Sequence, residues 1–129
     1  MDHTIVHFEI PAKNMTKMKD FYEQLFAWKF NQFPSGNGME YWTIETVPVD
    51  EKMQPVRQGV NGGMYPRHKP EDRPMNHFRV ESVDEYIAKA MKLGGKIITP
   101  KMEIPNIGWW ATIEDPEGNV FGILEPLMP

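Results

Sequence analysis

Apolar and polar residues alternate over 4–10. Val6, Phe8 and Ile10 take one face of a strand, and Ile5, His7 and Glu9 take the other. Pro11 is expected to stop that strand, because it has no N–H to give to a ladder. The period then changes. Met15, Met18, Phe21, Tyr22, Leu25 and Phe26 recur at three- and four-residue steps, which predicts an amphipathic helix over 14–26 with Asn14 as its N-cap. Alternation returns over 28–33, and again in the aromatic and β-branched run 39–47, with the turn Pro34-Ser35-Gly36-Asn37-Gly38 between them. A polar stretch follows, and a glycine-bearing strand over 59–65 closes this half.

The same order then repeats. Residues 66–74 carry three prolines among charged residues and read as a solvated linker. Residues 75–80 alternate, with Phe78 and Val80 on one face and Met75, His77 and Arg79 on the other. Ser82 followed by Glu85 matches a capping box. Val83, Tyr86, Ile87, Ala90, Met91 and Leu93 give the apolar stripe of a helix over 83–93, which Gly94-Gly95 ends. Strands are predicted near 96–103, 107–114 and 119–125, the last two joined by the turn Asp115-Pro116-Glu117-Gly118-Asn119. Strand–helix–strand–strand–strand thus occurs twice at a period of about 70 residues, the mark of an internal duplication. The expected organisation is one α+β domain over 1–129, with halves at about 1–65 and 75–129.

Composition narrows the function classes. The chain has 129 residues, 25% of them charged, and a formal net charge of −4 with the two signs interleaved, which speaks against nucleic acid as a partner. It has no cysteine, so disulfides, thiolate nucleophiles and cysteine-held zinc are excluded. No stretch approaches the roughly 20 apolar residues of a membrane helix. The opening residues read as neither leader nor anchor, so a cytoplasmic location is expected. Gly59, Gly62 and Gly63 do not open a helix and do not match a nucleotide loop. Their expected role is a bulge, or room for something close to the backbone. Ser, His and Asp residues are present, but no spacing points to a triad.

Three segments carry a resemblance. His7 with the Asp20-Phe21-Tyr22 run, the stretch from Val80 to Gly94-Gly95-Lys96-Ile97-Ile98, and the run Asp115-Pro116-Glu117-Gly118-Asn119-Val120-Phe121-Gly122-Ile123 stand in the order seen in the vicinal-oxygen-chelate (glyoxalase, bleomycin resistance protein, dioxygenase) superfamily, which the chain resembles over essentially its whole length. The resemblance implies two βαβββ modules forming curved mixed sheets, helices on the outer face, a ligand cleft on the inner face and a homodimer.

It also implies a divalent ion held by one side chain from the first and one from the last strand of each half. Oxygen and imidazole ligands suit that ion. Carried onto this sequence, the four positions fall on His7, within Gly62-Gly63-Met64, on Met75 and on Gly122. Only the first is a usual ligand. The reading is therefore a small-molecule-binding protein with no metal and no other cofactor, its ligand contacted by His7, Glu9, His77, Arg79 and Trp109. Trp109 and Trp110 cannot both face inward, so the other faces the helix layer or a dimer partner.

Alternatives stay open. His7, Glu9 and His77 share strand parity and make a displaced two-histidine, one-carboxylate set. With such an ion the chain is a lyase, isomerase or dioxygenase on a small oxygenated metabolite; without one, His7 or His77 acts as general base. Glu125 ends the last strand, but its parity is opposite to Gly122. A third reading is an interaction module that uses exposed Trp and Met on a sheet edge. The sequence does not decide whether the chain is an enzyme, and fold alone does not either.

Overall fold

The computed structural model describes residues 2–33 and 40–127. The predicted turn at 34–38 lies outside the described residues, as does Met39. By its contacts the chain divides into two compact units, His7–Pro74 and Met75–Pro129, the second taking in the first residues through Val6.

In the first unit the elements are β1 (Ile5–Ala12, from His7 onward), α1 (Met15–Phe26), β2 (Lys29–Gln32), β3 (Trp42–Glu45) and β4 (Gly62–Pro66). Strands run in the order β2-β3-β4-β1, with β1 parallel to β4 and the other neighbours antiparallel. The second unit repeats this as β5 (Met75–Arg79), α2 (Val83–Lys92), β6 (Lys96–Ile104), β7 (Gly108–Glu114) and β8 (Val120–Pro126). Its order is β5-β8-β7-β6, again with one parallel pair, β5 with β8. Each unit is therefore a βαβββ module with a mixed sheet. No helix among the described residues is long and apolar enough to cross a membrane.

Periodicity explains the core of each unit. Ala12 of β1, Met15 of α1, Phe30, Ile44 and Met64 form one buried cluster, and the Phe8 and Ile10 face of β1 packs against it with Met18 and Tyr22 of α1. In the second unit Val80, Val83, Ala111, Ile113 and Ile123 do the same, with Tyr86, Ile87 and Ala90 of α2 packed against them. The helix starts obey their caps: Asn14 accepts from Lys17 N at 3.0 Å and Ser82 from Glu85 N at 3.2 Å. Each helix covers one face of its own sheet and leaves the other face without one.

Two boundaries differ from expectation. Pro11 does not stop β1, which runs on to Ala12 with Pro11 opposite Tyr65. Ala12 O accepts from Arg67 N, so the even-numbered residues here bond towards β4 and the nitrogen of Pro11 points away from it; no bond to β4 is lost. The strand expected over 39–47 is shorter. Asn61 Oδ1 takes the N–H groups of Thr46 and Val47 at 2.7 and 2.9 Å, and this side chain replaces the ladder there. The segment after β4 is also more ordered than a solvated linker implies. Asp72 accepts from the N–H groups of His68 and Lys69, and Arg67 donates to Pro70 O and Asp72 O.

Candidate functional site

The helix-free face of the first unit is built by parity. Register places Glu9 opposite Gly63 and Thr43 opposite the same glycine, so His7, Glu9, Tyr41 and Thr43 share that face. A Cβ at Gly63 would collide with the Tyr41 hydroxyl, so the glycine is the space into which the phenol reaches. There Tyr41 Oη donates to Glu9 Oε2 at 2.8 Å and lies 3.0 Å from His7 Nε2. The single hydroxyl proton is committed to the carboxylate. His7 therefore carries a proton on Nε2 and donates it to the phenol oxygen. His7 Nε2 and Glu9 Oε2 are 3.6 Å apart, with side-chain exposures of 29% and 14%. Burial, then the Glu9 charge and the hydrogen bond to it, push the Tyr41 pKa well above its ordinary value, so the phenol remains a donor.

The helix-free face of the second unit is ordered in the same way. His77 and Thr112 both stand opposite Gly122, and Arg79 and Trp110 both stand opposite Leu124. A Cβ at Gly122 would collide with the His77 ring, so the imidazole lies over the glycine. Trp110 Nε1 donates to His77 Nδ1 at 3.0 Å, the two rings stacked at 20° with centroids 6.0 Å apart. Indole N–H only donates, so Nδ1 is an acceptor and the neutral ring holds its proton on Nε2. His77 is 2% exposed.

The two faces are versions of one arrangement. Glu9 and His77 occupy matching first-strand positions, each opposite a last-strand glycine. Trp110 pairs with Leu124, two residues beyond Gly122; Tyr41 precedes Trp42, which pairs with Met64, and so matches Trp110. In both units an aromatic donor on the third strand, or just before it, reaches across the glycine to a first-strand acceptor.

Of the residues proposed from the sequence, the fold brings His7 and Glu9 together in the first unit and sets His77 and Arg79 on one face in the second. Trp109 lies on the other face. It packs against the buried cluster on the α2 side, with Lys101 Nζ 4.6 Å above its ring; its neighbour Trp110 faces His77. Parity alone left this pair ambiguous, and the register of Trp110 with Leu124 decides it. Glu125 also faces the helix side, as its parity requires: its Oε1 accepts from Val83 N at 2.9 Å, at the start of α2. Tyr41 is the residue that sequence reasoning passed over. Its only signal was a place in an aromatic-rich strand.

These contacts test whether the chain's residues suit a divalent ion. The Gly63 and Gly122 positions offer no side chain, and the space each leaves is filled by the Tyr41 hydroxyl and the His77 ring. The Nδ1 lone pair of His77 is used by Trp110. Among the described residues no three His, Asp or Glu side chains gather as a metal cage. The residues do not fit the superfamily's ion.

The sequence profile of the Glyoxalase/Bleomycin resistance protein/Dioxygenase superfamily matches residues 4–123, and the chain belongs to that superfamily. The protein named "Putative glyoxylase CFP32" of Mycobacterium tuberculosis is 29% identical over 108 residues, covering 82% of this chain. The chain spans only 38% of that relative's length, and the same holds for its counterpart in Mycobacterium bovis. Among solved structures, methylmalonyl-CoA epimerase from Mycobacterium tuberculosis aligns with a TM-score of 0.65 at 11% identity, covering 95% of this chain and 87% of that one. A single-residue variant of the Streptomyces coelicolor methylmalonyl-CoA epimerase, in complex with 2-nitronate-propionyl-CoA, aligns at 0.67 and 10% identity over 98% and 96%. At such identities these structures share the fold.

Proposed function

We propose that this chain binds a small molecule against the helix-free face of its sheet strands and does so without the superfamily's divalent ion. His7, Glu9 and Tyr41 are the polar contacts that the first unit offers; His77, Arg79 and Trp110 are those of the second. The observation that carries the reading is the Tyr41 hydroxyl, set over Gly63 and tied to both Glu9 and His7. A polar network of this kind on a sheet face without a helix offers donors and acceptors that orient a ligand, held in place by the same bonds that stiffen the face. A solved protein of the same fold holds 2-nitronate-propionyl-CoA, which supports a ligand of metabolite size. The homodimer that the family resemblance implies belongs to this proposal, and sedimentation of the pure protein tests it.

Titration of the pure protein with planar aromatic and cationic compounds, read by tryptophan fluorescence, tests binding. Saturable quenching by at least one class is expected; failure of every class overturns the reading. Elemental analysis of protein purified without chelator tests the second half of the claim. A stoichiometric divalent ion that disappears in His7→Ala overturns it.

A second reading is an enzyme, a metal-free lyase or isomerase. It is favoured by the same hydrogen-bonded series, His7 Nε2–H to Tyr41 Oη–H to Glu9, which links a partly exposed imidazole to a more buried carboxylate. His77 is not its base, since Trp110 holds the lone pair that such a role requires.

A further inference from the structure

The second unit holds two buried polar atoms that its own hydrogen bonds do not use. Arg79 Nε and Thr112 Oγ1 have no hydrogen-bond partner among the described residues. Thr112 is 3% exposed, and Arg79 is partly exposed as a residue although its Nε is buried. Both lie on the helix-free face, Thr112 opposite Gly122 and Arg79 opposite Leu124, with the His77–Trp110 pair on the same rows. Buried polar groups are paired in the great majority of native sites, so two unpaired atoms on one face require a reason.

Resting on the binding function proposed above, we infer that Arg79 and Thr112 form the subsite for a carboxylate carried by the ligand. A guanidinium presents a planar set of donors that matches the two oxygens of a carboxylate. A threonine hydroxyl donates to a ligand oxygen or accepts from a ligand hydroxyl beside it. The charge on this face selects a monoanion. Arg79 supplies one positive charge, and the next cation whose register places it on the face, Lys96, stands opposite Glu114. A phosphate, at about −1.5 to −2 near neutral pH, would be left undercompensated. The two strands that carry these residues flank β8, so their backbones are about 10 Å apart, two strand spacings. An arginine side chain is long enough to span much of that gap, and Trp110 is paired with the same Leu124 as Arg79. A small planar carboxylate fits this set: its charge on Arg79 and its ring against the indole.

Benzoate, its neutral counterpart benzamide and inorganic phosphate are the probes, each titrated into the full chain and followed by the Trp110 indole N–H signal in NMR spectra. Benzoate is expected to bind saturably, at least about tenfold tighter than benzamide and tighter than phosphate. R79Q removes the preference for benzoate over benzamide. T112V supplies a second variant for which folding is not in question: with an unpaired hydroxyl gone its melting temperature rises, while benzoate affinity falls at least about threefold. A stabilised protein with weakened binding is not what a structural threonine gives.

Equal binding of benzoate and benzamide overturns the carboxylate subsite and leaves the small-molecule reading standing. Tighter phosphate than benzoate overturns the monoanion assignment. A T112V protein that loses stability and keeps its benzoate affinity assigns the hydroxyl to the fold and also overturns the inference. If benzoate fails to bind while other compound classes still quench the tryptophans, the subsite alone falls; if no compound binds at all, the binding function falls with it.

Discussion

Tyr41 donates to Glu9 across 2.8 Å, and the contact exists because residue 63 is a glycine. Tyr41→Phe deletes the hydroxyl and leaves Glu9 with one partner fewer, so it should lower unfolding stability by about 1–2 kcal/mol. It should also weaken any ligand held by this network. Denaturant unfolding checks the first effect, and a fluorescence titration of the variant checks the second.

The raised pKa of Tyr41 has a definite sign. The fold favours the protonated phenol, so its contribution is fully present below the ordinary tyrosine value of 10.0 and is lost as pH rises towards the raised folded value. Tyr65 behaves in the same way: burial, followed by the charges of Asp72 and Glu9, moves it up to about 12 against the opposing charge of Arg67. Stability should therefore fall between pH 10 and about 12. Absorbance titration of tyrosinate in native and urea-unfolded protein should show both of these phenols ionising later in the native state. Native and unfolded curves that coincide would reject the assignment.

Gly63→Ala and Gly122→Ala should each destabilise by about 1–3 kcal/mol, because the added methyl group meets Tyr41 in one case and the His77 ring in the other. The two should differ on combination. Gly63→Ala with Tyr41→Ala should cost less than the sum of the single changes, since the ring that the added methyl group meets is gone. The interaction energy from a double-mutant cycle measures this, and additivity would contradict the close approach.

Trp110→Phe removes the indole donor that serves His77 Nδ1 while keeping an aromatic ring. A buried acceptor without its donor costs about 1–3 kcal/mol. Trp109→Phe should be milder at His77 and should act instead on α2, against whose cluster it packs. Nitrogen chemical shifts of the His77 ring should report the Nε2–H tautomer in the native protein and a mixture of tautomers in Trp110→Phe, with no change in Trp109→Phe.

Much of the fold was legible because each element obeys one period. The stripes from Met15 to Phe26 and from Val83 onward became α1 and α2, with Asn14 and Ser82 as the expected caps. The parity of His7 with Glu9, and of His77 with Arg79, also followed from alternation. What alternation could not supply was register. Whether Trp109 or Trp110 turned towards His77 depended on which of them lay opposite Leu124, a relation between strands. Tyr41 was missed for the same reason: its meaning comes from Gly63, which is remote in sequence and adjacent only after β3 and β4 pair. Pro11 misled because a proline ends a strand only where its nitrogen faces a partner.

The filled glycine slots make a metal cage at these positions hard to rebuild. A carboxylate introduced at 122 would have to enter the volume held by the His77 imidazole, which is itself fastened by Trp110; at 63 it would displace the Tyr41 phenol. At these two positions the scaffold is held by steric succession, the space of each glycine taken by a neighbour that depends on it.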